Sequence, residues 1–137
     1  MILKDINENT KIGSPEKAGQ IIKAILESFD EYEQEKEHFW VLGLNTKNMI
    51  QYVDLVSIGT VSESLVHPRE VFRYAILKNC SGIIIAHNHP SGSVVESKED
   101  ITITNRLVEA SKIIGIKILD HIIVGDSIKS FKEHGLI

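Results

Sequence analysis

The stretch His87-Asn88-His89-Pro90-Ser91-Gly92, preceded by Ile83-Ile84-Ile85-Ala86 and followed by Ser97 and Asp100, decides how this chain is read. The short apolar run has the length and composition of a buried strand. Alternate side chains of a strand share a face, so His87 and His89 can aim at one point. Pro90 and Gly92 end the strand. Ser97-x-x-Asp100 has the form that opens a helix. Two imidazoles from a strand end and one carboxylate from the next helix make the three protein ligands of a catalytic zinc site, which keeps its fourth position for water.

Each part alone has a plainer reading. A His-x-His pair at a strand end can simply face solvent, and Ser97-x-x-Asp100 alone is a capping box. The combination carries the metal reading, because imidazole and carboxylate are the ligand types that zinc takes at such spacing. Asp100 is not expected to cap the helix and face a metal equally well.

Outward from this stretch the pattern is regular. Residues 1 to 13 read as an extended arm. Ser14 can N-cap a helix with Pro15 at its first position, and Ala18, Ile21, Ile22, Ile25, Leu26 and Phe29 follow at helical spacing. Phe39 to Leu44 and Met49 to Ser57 are strand-like, joined by the polar turn Asn45-Thr46-Lys47-Asn48. Pro68 opens a second helix. A third runs from about Ser97, with Ile103, Leu107, Ala110 and Ile114 on one face, and Gly115 closes it. Ile116 to Val124 is another strand, Gly125-Asp126 a turn, and a last short strand follows. Strands mixed with helices give an α/β or α+β class. No internal repeat is present.

Composition bounds what the chain does. Its 137 residues suffice for one sizeable core, and 42% hydrophobic with 25% charged residues is the balance of an ordinary globular domain. No apolar run approaches the ~20 residues that span a bilayer, and the first residues lack the apolar core of a signal peptide. Cys80 is the only cysteine, which excludes an intrachain disulfide, makes a cytoplasmic location the default and marks Cys80 as a small buried hydrophobe. The net charge is −4 with basic residues scattered among acids, so direct DNA binding by this domain alone is not expected. The acidic run Asp30 to Glu37 reads mostly as a solvated face or linker.

The motif His87-x-His89-x7-Ser97-x2-Asp100 resembles the JAMM motif of JAB/MPN+ metallopeptidases, and His-Asn-His-Pro-Ser-Gly resembles their RadC branch. In other JAMM proteins the residue between the His pair is usually Ser or Thr; Asn88 fits the RadC branch. Three further blocks are similar to RadC sequences in the same order: Glu37-His38-Phe39-Trp40, Val66-His67-Pro68-Arg69-Glu70-Val71-Phe72 and Leu119-Asp120-His121-Ile122-Ile123-Val124-Gly125. The resemblance covers about residues 15 to 137, and the domain is placed at 14–137 behind the 1–13 arm. One departure is Glu96, where the branch often has Pro. The resemblance implies a JAB/MPN fold, a mixed curved sheet flanked by helices and related to the deaminase architecture.

It also implies a chemistry. Zinc would be held by His87, His89 and Asp100. Glu37 would be the general base of amide hydrolysis, with Glu63 and Glu70 as rivals by residue type alone. Ser97 would donate to the oxyanion. Asp120 and His121 have no assigned role, although His121 could orient a zinc ligand. The expected function is a zinc-dependent peptidase or isopeptidase acting on a protein or peptide. The alternatives are a non-catalytic JAB interaction module and a DNA-repair accessory. Full-length RadC proteins carry a further N-terminal helix-hairpin-helix region that this sequence lacks, so it reads as a stand-alone domain or as part of a longer chain. Nothing in the sequence selects the substrate or the oligomeric state.

Overall fold

The computed structural model describes residues 1–3 and 10–137. Six strands form one mixed sheet in the order β1-β3-β2-β4-β5-β6: β1 (Ile2–Leu3), β2 (His38–Leu44), β3 (Ile50–Ile58), β4 (Gly82–Asn88), β5 (Lys117–Val124) and β6 (Ile128–Ser130). The helices are α1 (Pro15–Glu27), α2 (Glu31–Gln34), α3 (Pro68–Val71), α4 (Arg73–Leu77) and α5 (Lys98–Ile114). Of the arm expected over residues 1 to 13, Ile2–Leu3 pairs with β3 and Lys11 bridges Met49, while residues 4–9 lie outside the described part.

The centre of the sheet is β2 and β4, every residue of which is buried. Their side chains alternate between two cores. Phe39, Val41, Ile83 and Ile85 pack with Phe72 of the α3–α4 link and with Ile103 and Leu107 of α5. Trp40, Leu42, Ile84 and Ala86 pack on the other face with Ala18 and Ile22 of α1. Two-sided burial is why both strands read as apolar runs without polar alternation.

The hairpin β2–β3 turns where expected. The Asn45 carboxamide accepts from the Lys47 and Met49 N–H groups, each at 2.9 Å, and Asn48 takes the left-handed conformation at φ 58°. Strands β4 and β5 are parallel and joined by the α5 crossover. That crossover fixes the site, since it brings the start of α5 beside the end of β4. Ser97 caps α5 and Gly115 ends it in the left-handed conformation, both as the sequence suggests.

Two expectations are corrected. The helix after Pro68 is two short pieces, interrupted at Phe72 (φ −93°, ψ −5°), whose ring is fully buried in the core shared with Ile103 and Leu107. The acidic run holds the single turn α2, capped by Asp30, whose carboxylate accepts the Glu33 N–H at 2.9 Å. Cys80 is buried as expected, and burial pushes its thiol pKa up.

Leu107 ties α5 to the sheet and is fully buried. Leu107→Ala is expected to lower unfolding free energy by about 2–5 kcal/mol, read as a reduced midpoint in urea denaturation. A change within 0.5 kcal/mol, roughly the surface-substitution range, would show that α5 is anchored elsewhere.

Candidate metal centre

His87 is the penultimate residue of β4 and is fully buried; its ring is stacked 6.2 Å from Phe39 of the paired strand. His89 follows the strand end, where its N–H donates to the Val124 carbonyl at 2.9 Å, and it is half-buried. The chain then turns through Pro90 and Ser91, with the Gly92 N–H on the His89 carbonyl at 3.0 Å. Gly92 is required here. It has φ 90°, and a Cβ at this position would lie 2.6 Å from the Asp126 carboxylate.

Glu96 pairs with Lys129 of β6 at 2.5 Å, which fastens the connecting loop to the sheet edge. The departure from Pro at this position therefore carries a loop anchor. The loop delivers Asp100 to the imidazoles: its Oδ1 is 3.2 Å from His87 Nε2 and its Oδ2 is 3.1 Å from His89 Nε2. The expectation that Asp100 would not cap α5 and face the His pair equally well is corrected. Oδ2 also accepts the Ser97 N–H at 2.9 Å, while the Ser97 hydroxyl oxygen accepts the Asp100 N–H at 3.0 Å. A carboxylate has enough lone pairs to serve both.

The proton positions follow from the partners. His89 Nδ1 lies 2.8 Å from the Ser93 carbonyl, so it donates and leaves Nε2 as an acceptor. The Thr104 hydroxyl, one turn after Asp100, donates its proton to the Asp100 carbonyl at 2.6 Å. His121 Nδ1, 2.6 Å from the same hydroxyl oxygen, must therefore donate to it. That leaves His121 Nε2 as an acceptor for His87 Nδ1–H at 2.7 Å. The lone pair of His87 is thereby on Nε2, the atom that faces Asp100. Burial, and then the neighbouring His87, hold the His121 pKa well below the usual imidazole value, in keeping with a neutral ring.

Two lone-pair nitrogens 2.9 Å apart and a carboxylate thus converge on one point. With both rings neutral, three acceptors so placed repel one another unless a proton or a metal cation lies between them. His87, His89 and Asp100 form the only group of three or more such side chains among the described residues suited to hold a metal, with ligand atoms all within 4.8 Å of one another. Burial acts to raise the Asp100 carboxyl pKa, and what holds it well below the usual carboxylate range is positive charge at the imidazoles, together with the Ser97 N–H.

The cluster opens into a cleft of about 500 Å³ lined by Glu37, Val61, His89, Ser97, Glu99 and Asp100, among others. Glu37 is half-buried, and its Oε2 accepts the Val61 N–H at 2.8 Å. Ser97 is exposed and also lines the cleft. Of the rival carboxylates, Glu63 lies in an adjoining depression with Lys98 and Glu99, and Glu70 is exposed on α3. Of the three carboxylates, Glu37 is the one that lines the same cleft as His89 and Asp100. The structure also extends the reading. His121, raised as a possible partner for a zinc ligand, is hydrogen-bonded to His87, and Thr104, which went unnoticed, is hydrogen-bonded to His121. The signal for Thr104 was its place four residues after Asp100 on one helix face. Asp120 is structural: it accepts from the Ser130 hydroxyl at 2.5 Å and the Lys132 N–H at 3.0 Å, organising the C-terminal turn.

The sheet, its flanking helices and the His-His-Asp cluster define a mixed α/β domain with a candidate metal site. The family model of the RadC-like JAB domain matches residues 12–136, and the chain belongs to that family. It is 50% identical over 131 residues to a UPF0758 protein of Clostridium acetobutylicum, covering 95% of this chain and 55% of that protein. A UPF0758 protein of Clostridioides difficile is 60% identical over 104 residues, covering 74% and 44%. One from Caldanaerobacter subterraneus is 46% identical over 136 residues, covering 98% and 56%. The chain spans about half the length of these curated relatives. No helix among the described residues is long and apolar enough to cross a membrane.

Thr104→Val keeps shape but removes the hydroxyl that fixes the His121 tautomer. Partners that orient a metal-bound imidazole are typically worth ~10–100-fold in affinity. Competition between the chain and a chromophoric chelator for added divalent metal is expected to show affinity reduced on that scale. Unchanged affinity would mean that the Thr104–His121 chain does not hold His87 for a metal.

Proposed function

We propose that this domain is a zinc-dependent amide hydrolase acting on a protein or peptide. The observation that carries the reading is the convergence of His87 Nε2, His89 Nε2 and the Asp100 carboxylate beside a cleft that Glu37, Ser97, His89 and Asp100 line. Two neutral imidazoles and a carboxylate are a ligand set suited to zinc, with room for a fourth ligand from the open side.

When bound, zinc supplies Lewis acidity and brings the pKa of water towards ~7. The chain's own residues divide the remaining work. Val61 N–H holds one oxygen of Glu37, and the other, Oε1, has no hydrogen-bond partner among the described residues. Glu37 is thereby placed to accept the proton of the attacking water and pass it to the leaving amine. Ser97 Oγ accepts the Asp100 N–H as a cap, which leaves its own proton free to donate to the developing oxyanion. The buried His87, with Phe39, His121 and Asp100 about it, keeps solvent from the back of the site.

The same features weigh against the alternatives. A non-catalytic module has no need of a complete ligand set with a carboxylate across an open cleft. A net charge of −4 gives no counterion-release drive for duplex DNA. The activity, substrates and partners of a longer protein containing this domain fall under the same proposal.

Metal analysis of the purified chain after zinc titration is expected to give one equivalent, lost in His87→Ala and in Asp100→Ala and retained in Glu37→Gln. Cleavage of a fluorogenic peptide library is expected to require metal. Glu37→Gln should slow it by at least ~100-fold, and Ser97→Ala by ~100- to 1,000-fold. Absence of stoichiometric zinc, or cleavage by Glu37→Gln at the parent rate, would contradict the reading.

A further inference from the structure

We propose that Asn88, the residue between the two histidines, is the positioning residue for Glu37. The inference rests on the reading of Glu37 as the base and adds how that residue is held. Strand alternation turns Asn88 away from the metal cluster: His87 faces α5, while Asn88 points to the other side of the sheet and is 1% exposed. Its carboxamide grips the backbone on both sides of Glu37. Oδ1 accepts the His38 N–H at 2.6 Å and Nδ2 donates to the Lys36 carbonyl at 2.9 Å.

The position of this grip is informative. The backbone pairing of β2 with β4 reaches its last register partners at Phe39 and His87. Beyond that pair the Asn88 side chain supplies a donor and an acceptor where a further peptide group would stand. Glu37 itself is held by the Gly59 N–H on its carbonyl and the Val61 N–H on its carboxylate, both at 2.8 Å. Among the described residues, the Asn88 carboxamide supplies the side-chain hydrogen bonds that tie this segment to the strand bearing the histidines. Only an amide meets both demands. Ser or Ala cannot reach both partners, and Asp would set an oxygen against the Lys36 carbonyl. The ligand pair and the base are thus registered to each other by the residue that separates the ligands.

The Val61 amide reports this without a substrate, because it donates to Glu37 and does not touch Asn88. Hydrogen exchange by NMR would be measured on the full chain for the parent, Glu37→Ala, Asn88→Ala and the double variant. Each single change is expected to speed Val61 exchange by roughly 5-fold or more, the scale of one net hydrogen bond. The double variant should exchange no faster than Glu37→Ala, since Asn88 acts through Glu37. The Ile84 and Ile85 amides of β4 and the zinc stoichiometry should stay as in the parent. If Asn88→Ala does not fold, Asn88→Ser, which can serve one partner only, carries the same expectation. Val61 exchange left at the parent rate in the Asn88 variant would overturn the proposal, as would acceleration shared equally by Ile84 and Ile85. Failure of the hydrolase reading appears elsewhere, as absent zinc or absent cleavage, so the two outcomes are distinguishable.

Discussion

The Asp100 carboxylate joins two parts of the fold that the rest of the site depends on. One oxygen closes the cap of α5 on the Ser97 N–H, and both oxygens face the imidazoles at the end of β4. A buried carboxylate is costly without compensation. Here part of the compensation comes from the helix start, and a cation held between the imidazoles would supply the rest. The crossover that makes β4 and β5 parallel neighbours therefore also sets the geometry of the cluster. Helix packing, capping and ligand placement are one arrangement.

Around that carboxylate the polar groups run in a single direction. Thr104 donates to the Asp100 carbonyl, His121 donates to Thr104, and His87 donates to His121. The order is forced by a hydroxyl with one proton and a carbonyl that only accepts. Its end result is a lone pair on His87 Nε2. His89 reaches the same state through a shorter route, its Nδ1–H on the Ser93 carbonyl. The hydrophobic interior contributes by excluding other partners: His87 and His121 are fully buried against Phe39 and Phe131.

Much of this was legible in the sequence, and the reasons differ by residue. His87, His89 and Asp100 were readable because strand and helix periodicities are local and Pro90 and Gly92 mark the break between them. The arrival of Glu37 at the same cleft rested on family resemblance, since it needs the pairing of β2 with β4, whose facing residues His38 and Asn88 are 50 positions apart. The role of His121 was only half readable: orienting a zinc ligand was one possibility, and nothing in the sequence chose it. The parallel pairing of β4 with β5 shifts register between Ile83 and Ile84, so that Ile84 meets Asp120 and Ile85 meets His121. A slip of one residue exchanges the faces of neighbouring side chains. That irregularity, invisible in composition or spacing, decides that His121 and not Asp120 supports the ligand. The break at Phe72 escaped notice for a similar reason, because burial of one ring overrides helix periodicity.

The central claim is that this hydrogen-bond chain presents the Nε2 atoms of His87 and His89, and no others, to a metal. Nitrogen-15 NMR of the histidine rings in the zinc-loaded chain tests it most directly. The account predicts that His87, His89 and His121 all carry their proton on Nδ1. Zinc should then perturb the Nε2 resonances of His87 and His89 while His121 stays a neutral, unligated ring. A proton on Nε2 of either ligand, or a zinc-bound nitrogen on His121, would contradict it.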